Sequence, residues 1–321
     1  MEKQYYDNLV VSSAPHAVSN VDTAKVMQTV LIALIPAFAV GCYQFGYRAA
    51  VMTVVCAAAC MIFEFLFNKL MKRKNTVMDM SAALTGVLIA FNVPASLPYW
   101  MAIIGCFVAI VIVKQLFGGI GQNLVNPAVT ARIVLFISFA TEMTTWPVPR
   151  GAGVVDGTTG PTPLGILSEG GGQMPSNLDL FLGNVGGCIG EVSALALLIG
   201  GVFLIWRGII SPIIPVCFLG TVFVLALIVP GQDPIFHLCA GGLMLGAFFC
   251  ATDYVTSPIL PLGKVIFGIG CGILTFVIRV YGAYPEGVSF AILLMNILTP
   301  HIDNFCTNRA YKKGGGKKDE K

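Results

Sequence analysis

The sequence predicts an all-α, polytopic membrane protein of about ten transmembrane helices, arranged as two inverted five-helix repeats with interrupted helices. Three observations carry this. The 321 residues are 56% hydrophobic and only 11% charged, with a mean hydropathy of +0.83. A water-soluble domain carries about 25% charged residues, so this chain lacks the polar surface to cover itself and the bilayer must be its solvent. The apolar residues form long continuous runs, not the short alternating segments of a membrane β-barrel. Finally, five such runs lie on either side of the longest polar interval. An odd number in each half puts the halves in opposite orientation.

A spanning helix needs about 20 apolar residues. The predicted spans lie near 26–46, 48–68, 77–94, 99–117 and 127–141, then 187–206, 209–229, 235–252, 262–280 and 286–301. The third ends at Pro94, the fifth is short and the eighth is rich in glycine. Interrupted spans are tolerated where the freed backbone is buried in protein or lines a cavity. The expected organisation is a cytoplasmic N-terminal segment 1–25, a first repeat 26–141, an extracytoplasmic loop 142–186, a second repeat 187–301 and a flexible cytoplasmic tail 302–321. The first 25 residues hold Lys3, Asp7, Asp22 and Lys25 and no apolar run, which argues against a cleavable signal peptide. A faint internal echo accompanies the repeat. Ser81–Gly86 and Gly241–Gly246 each open a third span, and each leads to a polar residue and a proline: Asn92 and Pro94, Asp253 and Pro258.

Orientation follows from lysine and arginine. With the N-terminus in the cytoplasm, 16 of the 19 basic residues fall inside and 3 outside: Arg48, Arg150 and Arg279. Both termini are then cytoplasmic and the 142–186 loop faces out. The net charge of +3 reflects topology, and no nucleic-acid partner is expected. Glu64, Asp79 and Glu191 sit at span ends and read as interfacial, and Arg279 reads as snorkelling outward. The ten cysteines read as reduced core residues, Cys56 and Cys60 on one helix face. No cysteine spacing with histidine suggests a metal, and His237 and His301 are lone histidines at helix ends.

The polar interval contains Asp156-Gly157-Thr158-Thr159-Gly160-Pro161-Thr162-Pro163-Leu164. Glycine for unusual dihedrals, proline for a fixed one, and Asp and Thr for local bonds describe a tight exposed turn. The same run resembles the Asp-Gly-x-Ser/Thr-Gly-Ala-Thr signature at which flavin transferases join FMN by a phosphoester to the last threonine. That residue is Thr162, and Pro161 stands where Ala or Ser is usual.

A second stretch, Lys114 to Ala128, follows the fourth span. Three glycines permit a sharp turn, and Asn126-Pro127 suits a helix start with Asn as cap. Gln115, Gln122, Asn123 and Asn126 concentrate neutral donors and acceptors at a membrane boundary, which suits either a connector or the edge of an uncharged polar ring. A third, Ala251 to Pro258, contains Asp253 near the cytoplasmic end of the eighth span. It is an exposed helix end or, since acids in membrane segments face cavities, a cation ligand or proton acceptor on an ion path.

Taken together, these runs resemble the family of Rnf-complex D subunits and the homologous B subunits of sodium-pumping NADH:quinone reductases. The marks are Ser81-Ala82-Ala83-Leu84-Thr85, the Lys114-to-Ala128 run, the Asp156-to-Leu164 loop, and Ala251-Thr252-Asp253 with Thr256-Ser257-Pro258. The short N-terminus favours the Rnf branch. The resemblance implies covalent FMN on Thr162 and a second, non-covalent flavin (riboflavin in the homologue) in contact with Asn123 and Asn126. It also implies a cell-membrane assembly with the A, B, C, E and G proteins of the Rnf complex, moving electrons between ferredoxin and NAD with Na+ or H+ export. A flavin transferase would mature it. The chain would be one part of that oxidoreductase, incomplete alone. The same topology would also serve the quinone-reductase B protein, a cofactor-free channel or transporter, or a docking component without flavin.

Overall fold

The computed structural model describes residues 22–149, 159–169, 174–282 and 287–315. Its regular structure is helical, apart from one two-residue antiparallel pair, Trp146–Pro147 against Thr159–Gly160.

Helices α1 (Thr23–Phe45) and α2 (Tyr47–Leu70) are long enough to cross a bilayer. They meet at Gly46, whose φ of 72° is open to a residue without Cβ. The third predicted span is realised differently. A short turn over Val77–Asp79 precedes α3 (Ser81–Phe91), which at 11 residues covers only ~16 Å, about half the hydrocarbon core. Helix α4 (Tyr99–Phe107) passes without a break into a π-helical stretch, Val108–Gln115, whose wider turns swing Lys114 and Gln115 into the interior. The chain then reverses through Gly118, Gly119 and Gly121, all at positive φ. Helix α5 (Pro127–Ser138) begins on its Asn126 cap and is shorter than predicted. The separate turn α6 (Ala140–Met143) follows it.

The interval between the two halves is not all loop. It carries α7 (Pro163–Glu169) and α8 (Asn177–Leu182). In the second half, α9 (Ala194–Trp206) starts seven residues later than the predicted span, behind an irregular 187–193. Helix α10 (Ile213–Ile228) matches its span. The eighth span is broken into α11 (Pro234–Cys239), the turn α12 (Leu243–Leu245) and a second π-helical stretch, Gly246–Cys250. Helices α13 (Pro261–Tyr281) and α14 (Val288–Gly315) are again long and apolar, and α14 carries helix well past the predicted end at 301.

Helix α2 packs on α3 and α4, α10 on α13, and α13 on α14. Across the halves α1 packs on α9 and α5 on α14. Two apolar cores result. One joins the first-half helices to α9 and residues 236–249. The other is built of α10, α13 and α14, and takes Val129 and Ile133 from α5. Helix α5 is therefore shared. All ten cysteines are free thiols, and eight of them are buried.

Small residues set the closest helix contacts, as packing in lipid favours. A Cβ on Gly86 of α3 would stand 2.5 Å from the Cys56 carbonyl oxygen of α2. Gly220 of α10 faces open space. Gly86→Val is therefore expected to lower stability by about 1–3 kcal/mol or more, while Gly220→Val stays within roughly 0.5 kcal/mol of the parent. Thermal unfolding in detergent reads this, and equal effects of the two would refute the backbone contact.

Candidate functional site

Two cavities open toward opposite ends of the molecule. The larger spans about 840 Å³, open solvent at its mouth included, and is walled by the start of α1, by α3, by the turn after α4, and by the breaks beyond α9 and α12. Its polar wall residues include Lys114, Asn123, Asn126, Thr252 and Asp253. Three sequence-derived site residues, Asn123, Asn126 and Asp253, to which the sequence gives separate roles toward a flavin and an ion path, thus line one cavity. Gln115 and Gln122 are not among its walls.

Each wall residue is set by its local structure. Asn126 Oδ1 accepts from the backbone amides of Ala128 and Val129, so it caps α5 as the Asn-Pro pair predicts. Its Nδ2 donates to the Cys250 carbonyl at 3.1 Å, tying the first half to the second π-helical stretch. Both ends of that side chain are committed. Asn123 differs: its Oδ1 is buried with no hydrogen-bond partner. A buried acceptor left unmatched costs about 1–3 kcal/mol, so this oxygen is poised for a donor in the cavity. Asp253 Oδ2 accepts from Thr256 Oγ1 at 3.1 Å. A cavity of this size, apolar with a few converging polar groups, suits a flat heteroaromatic ring with an N–H edge.

Sequence alone puts Lys114 in the cytoplasm. It is instead buried, with Nζ 2.8 Å from Glu64 Oε2 and 2.7 Å from Ser81 Oγ. Glu64, expected at the interface, is fully buried, and its Oε1 accepts from Thr76 Oγ1, which itself accepts from Asn68. The π-helical turn brings Lys114 to that carboxylate. The only sequence signal of this pair is an acid and a base placed within apolar runs.

The smaller cavity, about 320 Å³ with the open space at its mouth included, lies at the other end. Thr162, Leu164, Leu180, Gly186, Gly187, Glu191, Cys239 and Gly241 line it. Thr162 is 6% exposed, and its Oγ1 accepts from the Gly165 amide at 3.0 Å as Pro163 opens α7. The exposed-turn reading fails at this residue. Asp156, Gly157 and Thr158 lie outside the described residues, while Thr159 and Gly160 form the strand pair with Pro147 and Trp146. Nearby, Asn177 Nδ2 donates to Asp233 Oδ2 at 2.7 Å, joining α8 to the start of α11. That bond holds the Asp233 carboxyl below the usual carboxylate range.

Glu191 also departs from its interfacial reading. Its Oε1 receives Arg132 Nη1 at 2.6 Å, and the same nitrogen donates to Asn92 Oδ1 at 2.9 Å. Glu191 Oε2 is buried without a hydrogen-bond partner. Arg279 does not snorkel. It turns inward from the last turn of α13, donating to the carbonyls of His237 at 2.7 Å and Ala240 at 2.8 Å. His237 is buried with Nε2 2.7 Å from Gln232 Oε1. Among the described residues no group of three or more His, Cys, Asp or Glu has the geometry to hold a metal ion.

The sequence profile of the NQR2, RnfD, RnfE family matches residues 10–312. The chain is 51% identical over 318 residues to the D subunit of the Na(+)-translocating ferredoxin:NAD(+) oxidoreductase complex of Acetobacterium woodii, covering 98% of each chain. It is 42% identical over 320 residues to the D subunit of the proton-translocating ferredoxin:NAD(+) oxidoreductase complex of Clostridium ljungdahlii, covering 95% of this chain and 96% of that one. It is also 42% identical to the D subunit of the ion-translocating oxidoreductase complex of Stutzerimonas stutzeri, with 91% and 92% covered. The chain therefore belongs to the NQR2, RnfD, RnfE family.

Proposed function

We propose that this chain is the membrane electron-transfer subunit of an Rnf-type ion-translocating ferredoxin:NAD oxidoreductase. FMN is joined by a phosphoester to Thr162 in the smaller cavity, and a second flavin, riboflavin, sits without covalence in the larger one. The observation that carries this is the spacing of the two cavities along α3 and α5. Thr85 and Leu88 of α3 and Ala128 of α5 line the larger cavity. One turn further on, Asn92 and Arg132 hold Glu191 in the wall of the smaller. A helical turn advances ~5.4 Å, so consecutive turns of these two helices border the two cavities. The relatives named as subunits of ferredoxin:NAD oxidoreductases give this spacing a redox use.

Flavins supply the electron chemistry when bound, and the chain binds, orients and insulates them. Asn123 Oδ1 accepts from a ring N–H. Lys114 contributes a cation already balanced by Glu64, so an uncharged ring meets no uncompensated charge. At Thr162 the oxygen that would carry the phosphoester is also the acceptor of the Gly165 amide, and an ester oxygen retains a lone pair for that bond. The phosphoester keeps an outward-facing cofactor from being lost by dilution.

The arrangement of ten spans in two inverted repeats has support in the packing. Helices α2 and α4 correspond to α10 and α13, and α4 and α5 to α13 and α14. The cross-half contacts, α1 on α9 and α5 on α14, join corresponding elements, as a two-fold axis requires. With the buried Lys114, Arg132 and Arg279 set aside, the remaining basic residues still divide 14 inside to 2 outside. Both termini then lie in the cytoplasm of a cell-membrane protein, and Thr162 faces out. The bonds from Asn126 to Cys250 and from Arg132 to Glu191 cross between halves and oppose the rocking that an alternating-access transporter needs. The remaining Rnf proteins, ferredoxin and NAD are the partners, and a flavin transferase matures the chain.

Thr162→Ala is expected to abolish the fluorescent flavin band of the denatured protein on a gel while the protein still inserts. A retained band moves the adduct elsewhere. Asn123→Ala is expected to reduce the flavin released on denaturation several-fold and to leave the Thr162 band intact. Asn126→Ala, whose side chain is used at both ends, should lower the released flavin less than Asn123→Ala and cost about 1 kcal/mol of stability from the missing cap. Normal release from both variants removes the second flavin from this cavity. Asp253→Asn in the whole complex is expected to keep both flavins and to lower the number of ions exported per electron. An unchanged ratio, measured with Na+ and with H+, takes Asp253 off the ion path.

A further inference from the structure

We propose that Glu191 Oε2 and the open face of Gly187 form a polyol subsite in the smaller cavity, which holds ribityl hydroxyls of the FMN on Thr162; this rests on the covalent-FMN reading of Thr162. Thr162, Gly187 and Glu191 all line that cavity. Glu191 is 4% exposed, and its two carboxylate oxygens differ. Oε1 accepts from Arg132 Nη1 at 2.6 Å, and Gly242 packs so close to it that a Cβ there would collide with it. That side of the carboxylate is closed. Oε2 is buried and has no hydrogen-bond partner among the described residues. The pair with Arg132, itself bonded to Asn92, fixes the carboxylate, so Oε2 cannot swing away to find one. Gly187 is an independent observation. It is buried, yet a Cβ built on it would meet no atom within 4 Å, and its φ lies outside the left-handed region. Neither a neighbour nor the backbone requires glycine here. The space it leaves clear belongs to the cavity that Thr162 and Glu191 share.

The chemistry of the occupant follows from the ester. A phosphodiester on Thr162 has acceptor oxygens only, so it cannot satisfy a carboxylate. The next group along FMN is the ribityl chain, whose hydroxyls donate and carry no charge. A hydroxyl on a carboxylate makes a charge-assisted bond, stronger than one between neutral groups. It also leaves the Arg132–Glu191 pair balanced. The size of the cavity agrees. At about 320 Å³, open mouth included, it lies at the bottom of the roughly 300–1,000 Å³ range of ligand pockets. Such a space suits the slender phosphate and ribityl chain, with the tricyclic ring beyond its mouth.

The test uses the full-length chain and flavin transferase, supplied with a flavin donor bearing the natural ribityl chain or one lacking a single ribityl hydroxyl. The measurement is the rise in melting temperature on modification, compared at equal adduct content. In the wild type that rise is expected to be smaller by about 2 °C or more for at least one of the deoxy chains. In Glu191→Met the natural and deoxy chains should give the same rise. Gly187→Val should melt within about 1 °C of the wild type before modification and gain less after it, by about 2 °C or more. Equal rises for every chain in the wild type would overturn the proposal. So would a deoxy penalty that persists in Glu191→Met, since it would belong to another acceptor. Where Glu191→Met does not fold, or a deoxy chain is not transferred, Gly187→Val decides: a rise equal to that of the wild type overturns the proposal. Absence of any covalent flavin in the wild type is a different failure, that of the Thr162 reading itself.

Discussion

Three cations buried among the described residues of a bilayer-solvated fold govern how this chain can pack. An isolated ion costs several kcal/mol to bury even after relaxation, so each must be answered locally, and each answer joins distant parts of the sequence. Lys114 meets Glu64 and draws the π-helical end of α4 onto α2 and the start of α3. Arg132 meets Glu191 and Asn92, tying α5 to α3 and to the irregular segment before α9. Arg279 meets the carbonyls that the break between α11 and α12 exposes. These bonds are directional, which lipid-facing apolar contacts are not. They are what makes the register of short, broken helices unique.

The breaks and the cavities are two sides of one fact. A helix of 11 residues such as α3 leaves backbone groups unpaired inside the membrane, and these are tolerable only against protein or an enclosed polar space. Both cavities lie at such ends. The larger is bounded by the starts of α3 and α5 and the end of the second π-helical stretch; the smaller by the start of α7 and the break before α12. Each π-helical stretch lies just before a polar turn, in the fourth span of the first half and the third of the second. They are a costlier backbone than an α-helix, and they recur where side chains must be re-aimed. Here they aim Lys114 in one half and deliver the Cys250 carbonyl to Asn126 in the other.

Much of this is legible from the letters. Composition identifies the solvent, and apolar runs mark every long helix. Asn126-Pro127 announces a helix start, and the glycines of 118–121 announce a reversal. The misreadings have a common cause. Glu64 and Glu191 read as interfacial, Lys114 as cytoplasmic and Arg279 as snorkelling because hydropathy treats a charge as an end marker. Burial depends on partners 39 to 59 residues away, and no local window contains them. The same limit explains the shortened third span: residues 77–94 are largely apolar, but the left-handed Met80 ends one turn before α3 begins. Asn123 and Asn126 look equivalent in sequence. Only the fold separates a side chain used at both ends from one with a buried oxygen to spare.

The shared position of α5 connects these points to function. Its first turn lines the larger cavity, its second carries Arg132 beside the smaller, and its flank completes the core of the other half. A helix so placed cannot move with one half alone. Coupling between the cavities must then be electrostatic and local, since a large domain motion would break Asn126 from Cys250 and Arg132 from Glu191 together. A charge arriving at one end changes the field at Arg132, which answers to Glu191 and Asn92 at once. The relatives named for sodium and for protons align with 98% and 95% of this chain. With flavins bound as proposed, a rigid core of this kind is compatible with either cation, because the choice of ion can rest with polar groups such as Asp253 in the wall of the larger cavity.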